Sequence, residues 1–133
     1  MYEIKNLTQA QTVDIESRLE EYDDTYLPKP IDGSIQIGAF NEGELIAGID
    51  ACMTSFRILY VSSVFVDEEF RNRGIGKSLM DEVERRAKEL GADIIRLDTF
   101  DWQGRDFYES IGFERVGQYS TNEFSEYFYV KYI

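Results

Sequence analysis

Arg71, Arg73 and Lys77 fall within seven consecutive positions, with Gly74 and Gly76 between them, in a chain whose net charge is −12. Cations and glycines at that spacing suit the holding of phosphate. Glycine lets the backbone approach a ligand closely, and amides at the start of a helix point outward without intrahelical partners. The segment Arg71-Asn72-Arg73-Gly74-Ile75-Gly76-Lys77, with Ser78 behind it, joins an apolar run, Leu59 to Val66, to a helical pattern, Gly76 to Leu90. Charge-assisted hydrogen bonds contribute about 1.5–3 kcal/mol each and a helix terminus about 0.3–2, enough together to retain a pyrophosphate. The spacing is neither that of a Walker loop nor that of the three-glycine dinucleotide turn.

Composition bounds the other chemistries. The sequence has no histidine, which removes Ser-His and Cys-His catalysis and ordinary zinc sites. Cys52, the one cysteine, lies between Ala51 and Met53 and reads as a buried strand thiol rather than a nucleophile. The acidic balance repels polyanions, so nucleic acid is not an expected partner and a cationic one is. Asp14, Glu16, Glu20, Glu21, Asp23 and Asp24 cluster early, either to draw a protonated amine toward a site or as a solvated helix face. No apolar run approaches the roughly 20 residues that cross a bilayer, and Met1 to Lys5 lacks the pattern of a signal peptide. A cytoplasmic protein without membrane association is expected.

The elements that must position these residues follow from periodicity. At 133 residues, 43% hydrophobic and 30% charged, the chain is expected to form one domain over residues 1–133. Tyr2 to Leu7 reads as a first strand and Thr8 as the N-cap of a helix running to Arg18 or beyond, with Val13, Ile15 and Leu19 as a modest apolar stripe. Pro28 and Pro30 mark a loop over residues 23–33 beside a candidate acceptor site. Ile35 to Phe40 and Leu45 to Thr54 form a hairpin across Asn41-Glu42-Gly43, and a third strand follows. Ile75, Leu79, Met80, Val83, Ala87 and Leu90 recur at helical spacing, with Gly91 as the stop. Asp93 to Phe100 reads as a strand, Gln103 to Ile111 as a short helix closed by Gly112, and Tyr127 to Ile133 as a final strand, an edge that could pair in a homodimer. The order of strands and helices indicates a mixed α/β (α+β) sandwich.

Arg71, Gly74 and Gly76 occupy the defined places of a Gln/Arg-x-x-Gly-x-Gly/Ala pattern. Further on, Phe107-Tyr108-Glu109-Ser110-Ile111-Gly112-Phe113 matches a Phe/Leu-Tyr-Glu-x-x-Gly-Phe segment. In both segments, and over about residues 44–118, the chain resembles the GNAT superfamily of N-acetyltransferases. The resemblance implies a central mixed sheet of about six to seven strands flanked by helices, and acetyl-CoA as co-substrate with no metal required. It assigns the pantetheine arm to the backbone of Val64, Phe65 and Val66, with the Val66 amide polarising the thioester carbonyl, and the pyrophosphate to Arg71 through Ser78. By the same resemblance Tyr108 stands beside the departing sulfur. Proton transfer from a tyrosine of pKa about 10 to a thiolate of pKa about 8.5 runs uphill by roughly 2 kcal/mol, which favours a hydrogen bond over full transfer.

The implied acceptor is a primary amine of a small molecule or peptide, attacking directly in a ternary complex. Reaching its neutral form at pH 7 costs roughly 4–5 kcal/mol, so a base or a water relay is needed. Where family members often carry a glutamate, this chain has Tyr60. Asp98 and Asp101, the latter standing where many relatives have asparagine, are the nearby alternatives, each otherwise a turn or cap residue. These departures also leave open a catalytically silent module that binds CoA or an acyl-CoA.

Overall fold

The computed structural model describes residues 1–28 and 31–133. Helix α1 spans Gln9–Asp23, opened by a capping box in which Thr8 Oγ1 accepts from the Gln11 amide and the Gln11 side chain accepts from the Thr8 amide. Strands β1 (Ser34–Asn41) and β2 (Glu44–Met53) form a hairpin through Glu42 and Gly43, both at positive φ (50° and 82°), as a two-residue turn that matches strand twist requires. Strand β3 (Ile58–Val66) leads to helix α2 (Ile75–Leu90), strand β4 (Ile94–Phe100), helix α3 (Arg105–Ser110), and strands β5 (Glu114–Ser120) and β6 (Ser125–Tyr132).

The six strands make one mixed sheet in the order β1-β2-β3-β4-β6-β5. All neighbours are antiparallel except β3 and β4, which run parallel with α2 as their crossover. Leu79, Met80, Val83 and Ala87 are the buried face of α2, and Ile75 and Leu90 pack against the same core. They meet Ile35, Ile49, Ala51, Leu59 and Ile95 from alternate positions of the first four strands. α3 lies on this same side, its Tyr108 packed against Tyr129 of β6.

Three expectations change. Tyr2 to Leu7 forms no strand: among the described residues β1 is paired only with β2, so an alternating apolar pattern there finds no ladder. Cys52 is exposed, because Ala51 takes the α2 side of β2 and its successor must face the other side of the sheet, which no helix among the described residues covers. The final strand offers no dimer edge, since β6 is paired on both sides, with β4 and β5. In the expected 23–33 loop, Lys29 and Pro30 lie outside the described residues.

Candidate active site

Parallel strands β3 and β4 share only three paired positions, Ile58 with Ile94, Leu59 with Ile95 and Tyr60 with Arg96. Beyond Tyr60 they have no common ladder, although β3 stays paired with β2 as far as Val66. Ser62 is the cause. Asp50 pairs with Ser63 and Ala51 with Val61, so Ser62 is an extra residue, and such a bulge bends and twists its strand. Its hydroxyl donates to the Asp50 carbonyl at 3.1 Å. A cleft opens between the strands, and its β3 wall offers backbone groups that no strand of the sheet satisfies.

The candidate phosphate loop lies at the end of that wall. Asn72 and Gly74 both adopt left-handed backbone, with φ of 62° and 82°. The Ser78 amide donates to the Gly74 carbonyl at 3.0 Å, so the amides of Ile75, Gly76 and Lys77 precede the helical ladder. The two glycines serve different needs. A Cβ on Gly74 would meet nothing within 4 Å, so its backbone conformation is what calls for glycine; a Cβ on Gly76 would stand 3.1 Å from the Phe107 ring. Gly76 is therefore the contact that lets α3 sit against the start of α2.

The cations are placed less uniformly than their spacing suggests. Arg71 Nε donates to the Val66 carbonyl at 2.8 Å and its guanidinium stacks on Phe65, so it closes the end of β3. Lys77 donates to Asp81 at 2.8 Å, and that carboxylate raises its pKa. Arg73 lies over the Phe70 ring at 5.3 Å, and the ion pairs among the described residues include neither it nor Arg71. Asp67, Glu68 and Glu69, just before the loop, line an open depression of about 510 Å³ and oppose its positive field. Of the three β3 residues, Val64 and Val66 point toward α2, whereas Phe65 is exposed on the other side.

Tyr60 and Asp98 meet at the root of the cleft. The Tyr60 hydroxyl donates to Asp98 Oδ2 at 3.0 Å, and the Arg96 guanidinium lies 4.4 Å from the centre of the Tyr60 ring. Burial, then the bond to Asp98, raises the Tyr60 pKa. Asp101 is occupied elsewhere: its Oδ2 accepts the Ser125 amide at 2.9 Å, tying the loop after β4 to the start of β6.

Tyr108 is 8% exposed between Phe107, Phe113 and Tyr129, and burial pushes its hydroxyl up to about 12. Two features here escaped sequence reasoning. Tyr129 is 1% exposed and its hydroxyl is buried without a hydrogen-bond partner among the described residues, beside Tyr108. Alternation in the last strand gave its face but not this orphaned oxygen. At the carboxyl end of β4, Phe100 stacks on the exposed Trp102 at 4.9 Å, and Phe124 meets both edge-on. An unpaired Trp after Asp101 was the available signal, but Phe124 joins it only through the fold.

Comparison with known proteins agrees with this geometry. The bovine (Bos taurus) thialysine N-epsilon-acetyltransferase is 33% identical over 58 residues, 42% of this chain but only 34% of that protein's length. An acetyltransferase structure from Bacillus cereus ATCC 14579 is 28% identical with a TM-score of 0.88, covering 99% of this chain and 98% of that one. A structure from Bacillus anthracis str. Ames in complex with acetyl coenzyme A is 23% identical with a TM-score of 0.70, covering 83% of this chain and 67% of that one. The family model described as acetyltransferase (GNAT) matches residues 1–113, and the chain belongs to that family.

Proposed function

We propose that residues 1–133 act as one N-acetyltransferase domain that moves the acetyl group of acetyl-CoA to a primary amine of a small molecule or peptide. The opening of β3 from β4 just beyond Tyr60 carries this reading, because it leaves an unpaired strand wall ending at a loop of free helix-start amides. Pantetheine would lie along that wall at Val64 to Val66 as an added strand, and the pyrophosphate at Arg73 through Ser78. With its side chain on the Val66 carbonyl, Arg71 shapes the wall rather than meeting phosphate first. The B. anthracis complex and the bovine protein's N-epsilon-acetyltransferase name support the co-substrate and the amine acceptor.

The amine nitrogen attacks the thioester carbonyl, its C–N bond forms, the C–S bond breaks, and CoA leaves as thiolate. A Tyr108 hydroxyl held near pKa 12 donates a hydrogen bond to that sulfur without surrendering its proton. The amine's proton passes to Asp98, through a water or past the Tyr60 hydroxyl that already binds it. Trp102 and its aromatic neighbours offer ring faces to a cationic acceptor.

A silent CoA-binding module is the second reading, favoured by a tyrosine rather than a carboxylate at position 60 and by the engagement of Asp98 with it. Calorimetric titration with acetyl-CoA, with ATP as control anion at the same ionic strength, tests the site. Saturable micromolar binding of acetyl-CoA alone is expected, weakened at least tenfold in Arg73→Glu, which sets a carboxylate against phosphate. No binding would remove the proposal. CoA release with a panel of amines then separates enzyme from silent binder.

A further inference from the structure

The first 28 residues form an arm in which no apolar side chain is buried. Ile4 is 91% exposed and Leu19 60%, Tyr2, Leu7, Ile15 and Tyr22 are also exposed, and α1 has no buried residue. Ile15, Leu19 and Tyr22 recur at i, i+4 and i+7, one stripe of a helix whose capping box fixes its start. A lone helix of this length is marginal in water, since most helical stability in proteins comes from packing an apolar face. Both of the body's helices lie on one side of the sheet, and the other side exposes Phe40, Leu45 and Phe65 around the small residues Gly38, Gly48 and Cys52. Among the described residues the outer edge of β1 is also unpaired, and Tyr2 to Leu7 has no ladder of its own.

We infer that the occupant of this open face is a second copy of the chain, and that the protein is a dimer formed by reciprocal exchange of residues 1–28. In the exchange, α1 of each copy lies over the open face of the other, and the segment Tyr2 to Leu7 runs along the other's β1 edge. A two-fold arrangement satisfies both arms and both faces at once, so the contact closes and does not propagate. The alignment with the B. cereus structure spans 99% of this chain, so the arm has a counterpart in that protein. A net charge of −12 on each copy opposes association, so added salt should tighten the dimer.

Light scattering on the full chain across a dilution series is expected to give twice the 15.5 kDa chain mass, with a dissociation constant that falls as salt rises. Leu19→Asp on the arm and Leu45→Asp on the receiving face should each weaken the dimer more than tenfold. Both side chains are exposed here, so the body should keep its circular dichroism and its melting temperature. Mixing the two variants should restore a heterodimer, because one intact arm then meets one intact face. A monomer at tens of micromolar, a dimer indifferent to either substitution, or a mixture that stays monomeric would each overturn the exchange.

Discussion

At the scale of single residues, Tyr108 carries the sharpest expectation. Its hydroxyl ionises in the unfolded chain near pH 10 but in the folded one only near 12, so the folded state holds its proton more tightly. Stability from this group is complete below pH 10 and is lost as pH rises from 10 to 12, by roughly 2–3 kcal/mol over the two units. Tyr108→Phe should flatten that part of the melting-temperature profile, and should lower turnover more than acetyl-CoA affinity. Normal turnover in the variant would make the hydroxyl dispensable. The sequence pointed to Tyr108 and to the pair Tyr60 and Asp98, but not to their bonding, because a contact 38 positions apart is a product of strand pairing. It also pointed to Arg71 as a phosphate ligand, and charge alone could not reveal that its Nε donates to the Val66 carbonyl.

At the scale of elements, the phosphate loop separates two uses of glycine. Gly74→Ala should cost about 1–2 kcal/mol through its left-handed backbone alone, seen as a lower melting temperature. Gly76→Ala gains helix propensity worth up to about 1 kcal/mol, yet its new methyl presses on Phe107, the neighbour of Tyr108. Turnover should fall there while the melting temperature moves by only a few degrees; unchanged turnover would show that α3 does not depend on this contact. Helices α1 and α2, the β1–β2 hairpin and the strands β3, β4 and β6 were legible because caps, turn residues and periodicity agree locally. Strand β5 was not, since its alternation is weak and none of its residues is buried. The 2–7 strand was legible as a pattern and absent as a ladder, for a strand exists only beside another.

At the scale of the whole molecule, the described residues contain no helix long and apolar enough to cross a membrane, and one face of the sheet stands open. The extra residue at Ser62 has a reach far beyond its own neighbourhood. It leaves β1-β2-β3 and β4-β6-β5 as two half-sheets stitched by three residue pairs, with the body's cover on one side only. Such a seam is where amide hydrogens should trade with solvent most readily. In deuterium exchange, the amides of residues 61–66 that face away from β2 should label quickly in the free protein and slow at least tenfold with acetyl-CoA present, while those bonded to β2 change little. Equal protection of both sets would mean that the ligand does not close the seam. Side-chain scanning along β3 would pass over this entirely, because the specificity there is written in the main chain.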